Sequence, residues 1–65
     1  MWLNVKAVRL AMIDKGLSIS DLSRRSKLGT ATINGWLNHG RKPQMSKISQ
    51  LAKALGVSVL DIVEV

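Results

Sequence analysis

The chain has no cysteine, which rules out disulfides and thiolate metal sites and makes an intracellular setting natural. It has no long apolar run: hydrophobic stretches are short and broken by charge, so no segment could span a bilayer. Nothing at its start resembles a secretory signal, and Met1 is what a whole protein would show at that position. Acids are scarce. Of the four, Asp14, Asp21, Asp61 and Glu64, two sit where a helix start would use them, and the single histidine, His39, has no carboxylate cluster beside it. A metal site needs three or four ligands and a nucleophile needs an oriented base, so neither metal nor catalytic chemistry is expected. A glycine-rich phosphate loop is missing too, and no cofactor is expected. No stretch alternates apolar and polar for long enough to read as a strand.

What remains is small, apolar and basic. Sixty-five residues make one domain, 1–65, near the lower limit for a chain that folds without staples. The hydrophobic fraction of 46% is enough for a core. Ten Lys and Arg against four acids leave a net charge of +6. Such a balance suits a polyanionic partner, and it equally suits a charged surface that keeps a hydrophobic little protein in solution.

Helical spacing begins with Val5, Val8 and Met12, beside a stripe of Leu10, Ile13 and Leu17; Lys15-Gly16 supplies a stop. Ser18, with Asp21 three residues later, forms a capping-box variant, and Leu17 and Leu22 fall at the staple positions. Ser58 and Asp61, with Val57 and Ile62, repeat the device near the end. Between them Met45, Ile48, Leu51, Ala52 and Leu55 share one face of a helix that Gly56 ends. The spacing predicts an all-α domain of five helices, over 4–15, 18–27, 29–38, 44–55 and 58–63.

The second and third helices are joined by Lys27-Leu28-Gly29, and a basic loop follows the third. That is the layout of a helix-turn-helix, spanning about residues 18–38. In "TATINGWLNHGRKP" Ile33, Trp36 and Leu37 share the core face, and Ala31, Asn34, Gly35 and Asn38 share the other. Gly35 is the surprise, because glycine weakens a helix interior by about 1 kcal/mol relative to Ala. With Ala31 one turn earlier, it suggests a smooth strip where backbone approaches a partner closely.

At this point the chain resembles the phage lambda-repressor and Cro-type helix-turn-helix family. The likeness runs through "LSISDLSRRSKLGTATINGW" and resumes in "RKPQM" and "ISQLAKALGVS". It implies a compact five-helix lambda-repressor-like domain that binds double-stranded operator DNA, usually as a dimer, in the cytoplasm of a bacterial or phage-infected cell, on the nucleoid. The third helix would lie in the major groove. By position, Thr30, Ala31, Asn34 and Gly35 would face bases; Ile19, Ser20, Asn38, Arg41 and Lys42 would face phosphate. The chain departs from the family at Ile19, where Gln is frequent, and at Lys27, where a glycine is expected; a further glycine has moved to Gly40. An Arg–Glu ion pair frequent in the family maps onto Met12 and Leu37, which should therefore pack together as apolar side chains.

Individual residues carry competing readings. Trp36 reads as core rather than a base-stacking group. Arg24 and Arg25 suit either a phosphate contact or a solvated brace, and Asn34 suits either adenine or water. Lys47, in the first turn of a helix, is badly placed for the helix dipole and so favours a phosphate neighbour. One module of this kind buries only about 600–1,000 Å² on DNA, which argues for two copies. Trp2, Leu3, Ile62, Val63 and Val65 are the candidates for a homodimer contact, against the plainer reading that the two ends pack together. Three functions compete: a sequence-specific repressor, an antirepressor or antitoxin-like module that docks a protein, and a charge-driven non-specific nucleic-acid binder.

Overall fold

A computed structural model of the chain describes residues 2–64. Four α-helices follow one another: α1 over Val5–Lys15, α2 over Ile19–Ser26, α3 over Thr30–Asn38 and α4 over Met45–Leu55. Their limits follow local chemistry. Asn4 caps α1, its Oδ1 accepting the Ala7 N–H at 3.0 Å. Ser18 and Asp21 close the expected capping box at α2: the Ser18 N–H donates to Asp21 Oδ2 at 2.9 Å, and the Asp21 N–H donates to Ser18 Oγ at 3.1 Å. Both α1 and α4 stop at a left-handed glycine, Gly16 and Gly56, followed by a long return bond: Leu17 N–H to Met12 O at 2.8 Å and Val57 N–H to Ala52 O at 3.0 Å.

The core collects one face from each helix. Val8, Leu22, Ile33 and Leu51 are fully buried, and Ile48, Leu55 and Ile62 nearly so. Trp36 belongs to this core rather than to the surface. Leu37 is buried in it, and Met12 packs half-buried against the same cluster. Met45 departs from the expected apolar face: it opens α4 at 72% exposure, one turn before Ile48 enters the core.

The fifth helix expected over 58–63 is a single 3-10 turn, Val59–Asp61. Its start is specified as anticipated, with the Ser58 N–H donating to Asp61 Oδ2 at 3.0 Å. It goes no further because Ile62 and Val63 are β-branched and a non-local partner is at hand. Strand β1 (Trp2–Leu3) and strand β2 (Val63–Glu64) pair antiparallel, Trp2 opposite Glu64 and Leu3 opposite Val63. Asn4 extends the tie, its N–H donating to Ile62 O at 2.8 Å. The class stays helical, with four α-helices instead of five and a clasp joining the ends.

That clasp corrects the expected homodimer surface. Leu3 and Ile62 are buried inside the domain, and Val63 is half-buried against the core, so the ends pack on their own chain. Trp2 alone of the described candidates is well exposed, and Val65 lies outside the described residues. The large apolar side chains left at the surface are instead Leu10, Ile13, Met45 and Leu60, with Trp2.

Candidate nucleic-acid interface

The turn between α2 and α3 is three residues wired from both sides. Lys27 takes a left-handed φ of 62°, the only non-glycine to do so among the described residues. Leu28 then drops into the core, and two serines of α2 satisfy its backbone. Its N–H donates to Ser26 Oγ at 3.2 Å, and its carbonyl accepts from Ser23 Oγ at 2.5 Å. Ser26 is itself buried, donating to Leu22 O at 2.5 Å, and its own carbonyl accepts from Gln50 Nε2 of α4 at 3.3 Å. With Leu28 anchored and Ile33, Trp36 and Leu37 buried, the rotation of α3 about its axis is set.

The rotation leaves Thr30, Ala31 and Asn38 exposed and Asn34 half-exposed. Ile19, from the first turn of α2, joins Thr30, Ala31 and Asn34 around one open concavity of about 280 Å³. Four of the residues expected at the interface therefore meet there. Ser20 is exposed beside Ile19 on α2. Lys47 is half-buried in the first turn of α4, which carries neither an acidic residue nor a side-chain cap.

Gly35 does not form a bare strip. It is buried, and what buries it is Arg41: a Cβ on Gly35 would stand 3.0 Å from Arg41 Cδ, 3.5 Å from Nε and 3.7 Å from Nη1. The backbone brings Arg41 back to this spot. Gly40 is left-handed at φ 66°, and both the His39 and Arg41 N–H groups donate to Gly35 O at 3.1 Å. The missing side chain thus makes room for a cation, not for direct approach of the backbone. Lys42 lies instead over β1, its Nζ 5.3 Å from the centroid of the Trp2 ring.

A polar chain crosses from α1 to α3. Arg9 Nη2 donates to Leu37 O at 3.2 Å and to Asn38 Oδ1, while Asn38 Nδ2 donates to Asn34 Oδ1. Nothing local in the sequence marks Arg9, because its partners lie 28 and 29 residues away.

The electrostatics of this region are one-sided. Between Asp21 and Asp61 there is no acid, whereas Arg24, Arg25, Lys27, Arg41, Lys42, Lys47 and Lys53 all fall there. Asp21 itself is tied up: the Ser18 backbone N–H, then the Ser18 hydroxyl and the Arg24 guanidinium hold its carboxyl below the usual value. Arg24 pairs with Asp21 along α2, both on the solvent side. No group of three His, Asp or Glu side chains among the described residues could hold a metal ion. No helix there is long and apolar enough to cross a membrane.

A four-helix domain with this turn, and with the third helix turned outward, matches one family model over residues 8–65: the Cro/C1-type helix-turn-helix DNA-binding domain. The chain belongs to that family. As a Cro/C1-type domain it is a DNA-binding transcription regulator in the broad sense. Among solved structures it is similar to the crystal structure of the restriction-modification controller protein C.AhdI from Aeromonas hydrophila. The TM-score is 0.81 at 26% identity, covering 88% of this chain and 86% of that one. No curated protein matches the chain significantly.

Proposed function

We propose that this Cro/C1-type domain recognises a specific operator in duplex DNA, with α3 in the major groove, and represses by occupying it. The observation that carries this reading is the outer face of α3. Thr30, Ala31 and Asn34 line a concavity with Ile19, and Arg41 is seated on the same helix at Gly35. A small apolar side chain, a hydroxyl, an amide and a guanidinium are together the equipment that base edges require.

Phosphate contacts surround this face. Ile19 and Ser20 open α2, where backbone N–H groups have no helical partner and can meet a phosphate oxygen. Lys42 and Lys47 supply charge, and Asn38 flanks the reading residues. Arg41 changes role: lying along α3, it serves base recognition better than the backbone contact expected from its place in the loop. Two copies on half-sites one helical turn apart, about 34 Å, would supply the area that a single module lacks. The likeness to a restriction-modification controller protein supports a regulator of this kind.

A protein-docking role is the second reading, favoured by Ile13 and Leu60, exposed at 76% and 82%. Gel shifts over a range of salt, on random duplex and on the DNA upstream of the chain's own reading frame, separate the possibilities. Preference for the upstream duplex supports the operator reading. Equal binding that collapses as salt rises would leave only charge, and no binding at low salt would favour a protein partner.

A further inference from the structure

We propose that Arg9, on α1, is a positioning residue that sets which end of the Asn34 amide the domain presents to a base. The proposal rests on the operator reading and assigns a determinant of specificity to a side chain outside the helix-turn-helix.

An amide oxygen and an amide nitrogen are nearly the same shape, so an asparagine on an open surface can present either. Arg9 removes that freedom. A guanidinium can only donate, so the atom of Asn38 facing Arg9 Nη2 must be Oδ1. Asn38 is then left with Nδ2, which can only donate, and the atom of Asn34 facing it must be Oδ1. The Nδ2 of Asn34 is thereby turned away from Asn38, and Oδ1 keeps one lone pair spare. Arg9 is held in register by its second acceptor, Leu37 O, a last-turn carbonyl of α3 with no helical donor. The cation at a helix C-terminus is itself favourable, so the relay starts from a stable anchor.

Half-exposed in the concavity with Thr30 and Ala31, Asn34 can then offer an amide donor and an acceptor in a fixed order. That order matches a purine: Nδ2 donating to N7, with Oδ1 accepting from adenine N6. A pyrimidine offers only half of that pair, an acceptor at thymine O4 or a donor at cytosine N4. The recognised ligand is therefore a major-groove purine edge, adenine for preference, at one position in each half-site.

Selection from randomised duplexes tests this, using the native protein, Asn34→Ala, Arg9→Met and Arg9→Lys. The native protein should enrich a purine at one position, and replacing that base by its 7-deaza analogue should weaken binding roughly 5- to 150-fold. Asn34→Ala and Arg9→Met should each lose that preference, whereas Arg9→Lys, which still donates, should keep it. The preference is a ratio between duplexes with the same phosphates, so the lost charge of Arg9→Met cancels from it. Side-chain amide resonances of the free protein give a second readout, with Asn34 and Asn38 both shifting in Arg9→Met and staying near their native positions in Arg9→Lys. Arg9→Met that keeps the purine preference while Asn34→Ala loses it would overturn the relay, as would unchanged amide resonances. A native protein that enriches no sequence sinks the operator reading itself, and the base-reading role with it.

Discussion

The side chain of Arg41 lies across Gly35, its Cδ 3.0 Å from where a Cβ would stand. The glycine in the middle of α3 is thus a seat. Ala at this position would recover about 1 kcal/mol of helix propensity, and the flexible Arg41 stem has to give by only a few tenths of an ångström. Gly35→Ala is therefore expected to unfold at a higher temperature than the native chain, with a modest loss of DNA affinity. Gly35→Leu fills the seat and displaces the guanidinium, and its affinity should fall by tenfold or more on the order of one good base contact. A folded Gly35→Leu protein that binds its operator normally would remove Arg41 from the reading face.

Lys27 holds a left-handed φ of 62°, a conformation that favours glycine, in the turn between α2 and α3. A side chain in that conformation carries roughly 1–2 kcal/mol of strain. Lys27→Gly relieves it but adds some freedom to the unfolded chain, so the net gain should be about 0.5–1 kcal/mol. For a domain of this size that raises the melting temperature by about 2–8 °C. Thermal unfolding followed by circular dichroism reads it directly; a lower melting temperature would mean that the Lys27 side chain makes a favourable contact worth more than the strain.

Ser26 accepts the Leu28 N–H and donates to Leu22 O from a buried position. Ser26→Ala leaves the Leu28 N–H without a partner in the interior, at a cost of about 1–3 kcal/mol. Urea unfolding should show a lower midpoint with an unchanged slope. Ser23→Ala, at the half-buried edge of the same turn, should cost less, since water can reach the Leu28 carbonyl it abandons.

The local signals of the sequence carried most of this architecture. Ser18 with Asp21, Ser58 with Asp61, and the stops at Gly16 and Gly56 each act within a few residues, and each appears where its spacing placed it. What local pattern could not show was pairing across the chain. Two-residue strands have no period to read, so the apolar ends alone do not decide between packing on each other and meeting a second copy; the pairing of Leu3 with Val63 does. The same applies at the interface. Periodicity put Asn34 and Gly35 on the outer face, but Arg41 on Gly35 depends on how Gly40 turns the chain, and Arg9 with Asn38 on how α1 lies against α3.

The Asp21 carboxyl is stabilised as an anion in the folded chain, first by the Ser18 N–H, and its pKa is lowered. A depressed folded pKa means that the unfolded chain binds the proton more readily, so the contribution is present above the unfolded value. It fades as pH falls through about 4 and below. Asp21→Asn should be less stable than the native chain near neutral pH, and the gap should narrow on acidification. A gap constant from pH 7 to pH 2 would show that the capping box works without its charge.

Lys42 and Arg41 are neighbours in sequence with different partners, one over Trp2 and one on α3, and this separates their expected effects on DNA binding. A phosphate contact carries no base information, so Lys42→Gln should weaken binding to every sequence by a similar factor. It should also make the slope of log K against log salt shallower by about 0.9. Trp2→Ala removes the ring that now holds the ammonium and leaves the charge in place, so the salt slope should stay as it is. Arg41→Gln should instead flatten the preference at one base pair more than it weakens binding overall. If Arg41→Gln lowers affinity uniformly and reduces the salt slope as Lys42→Gln does, both cations lie on the phosphates, and recognition falls to Asn34 and its neighbours alone.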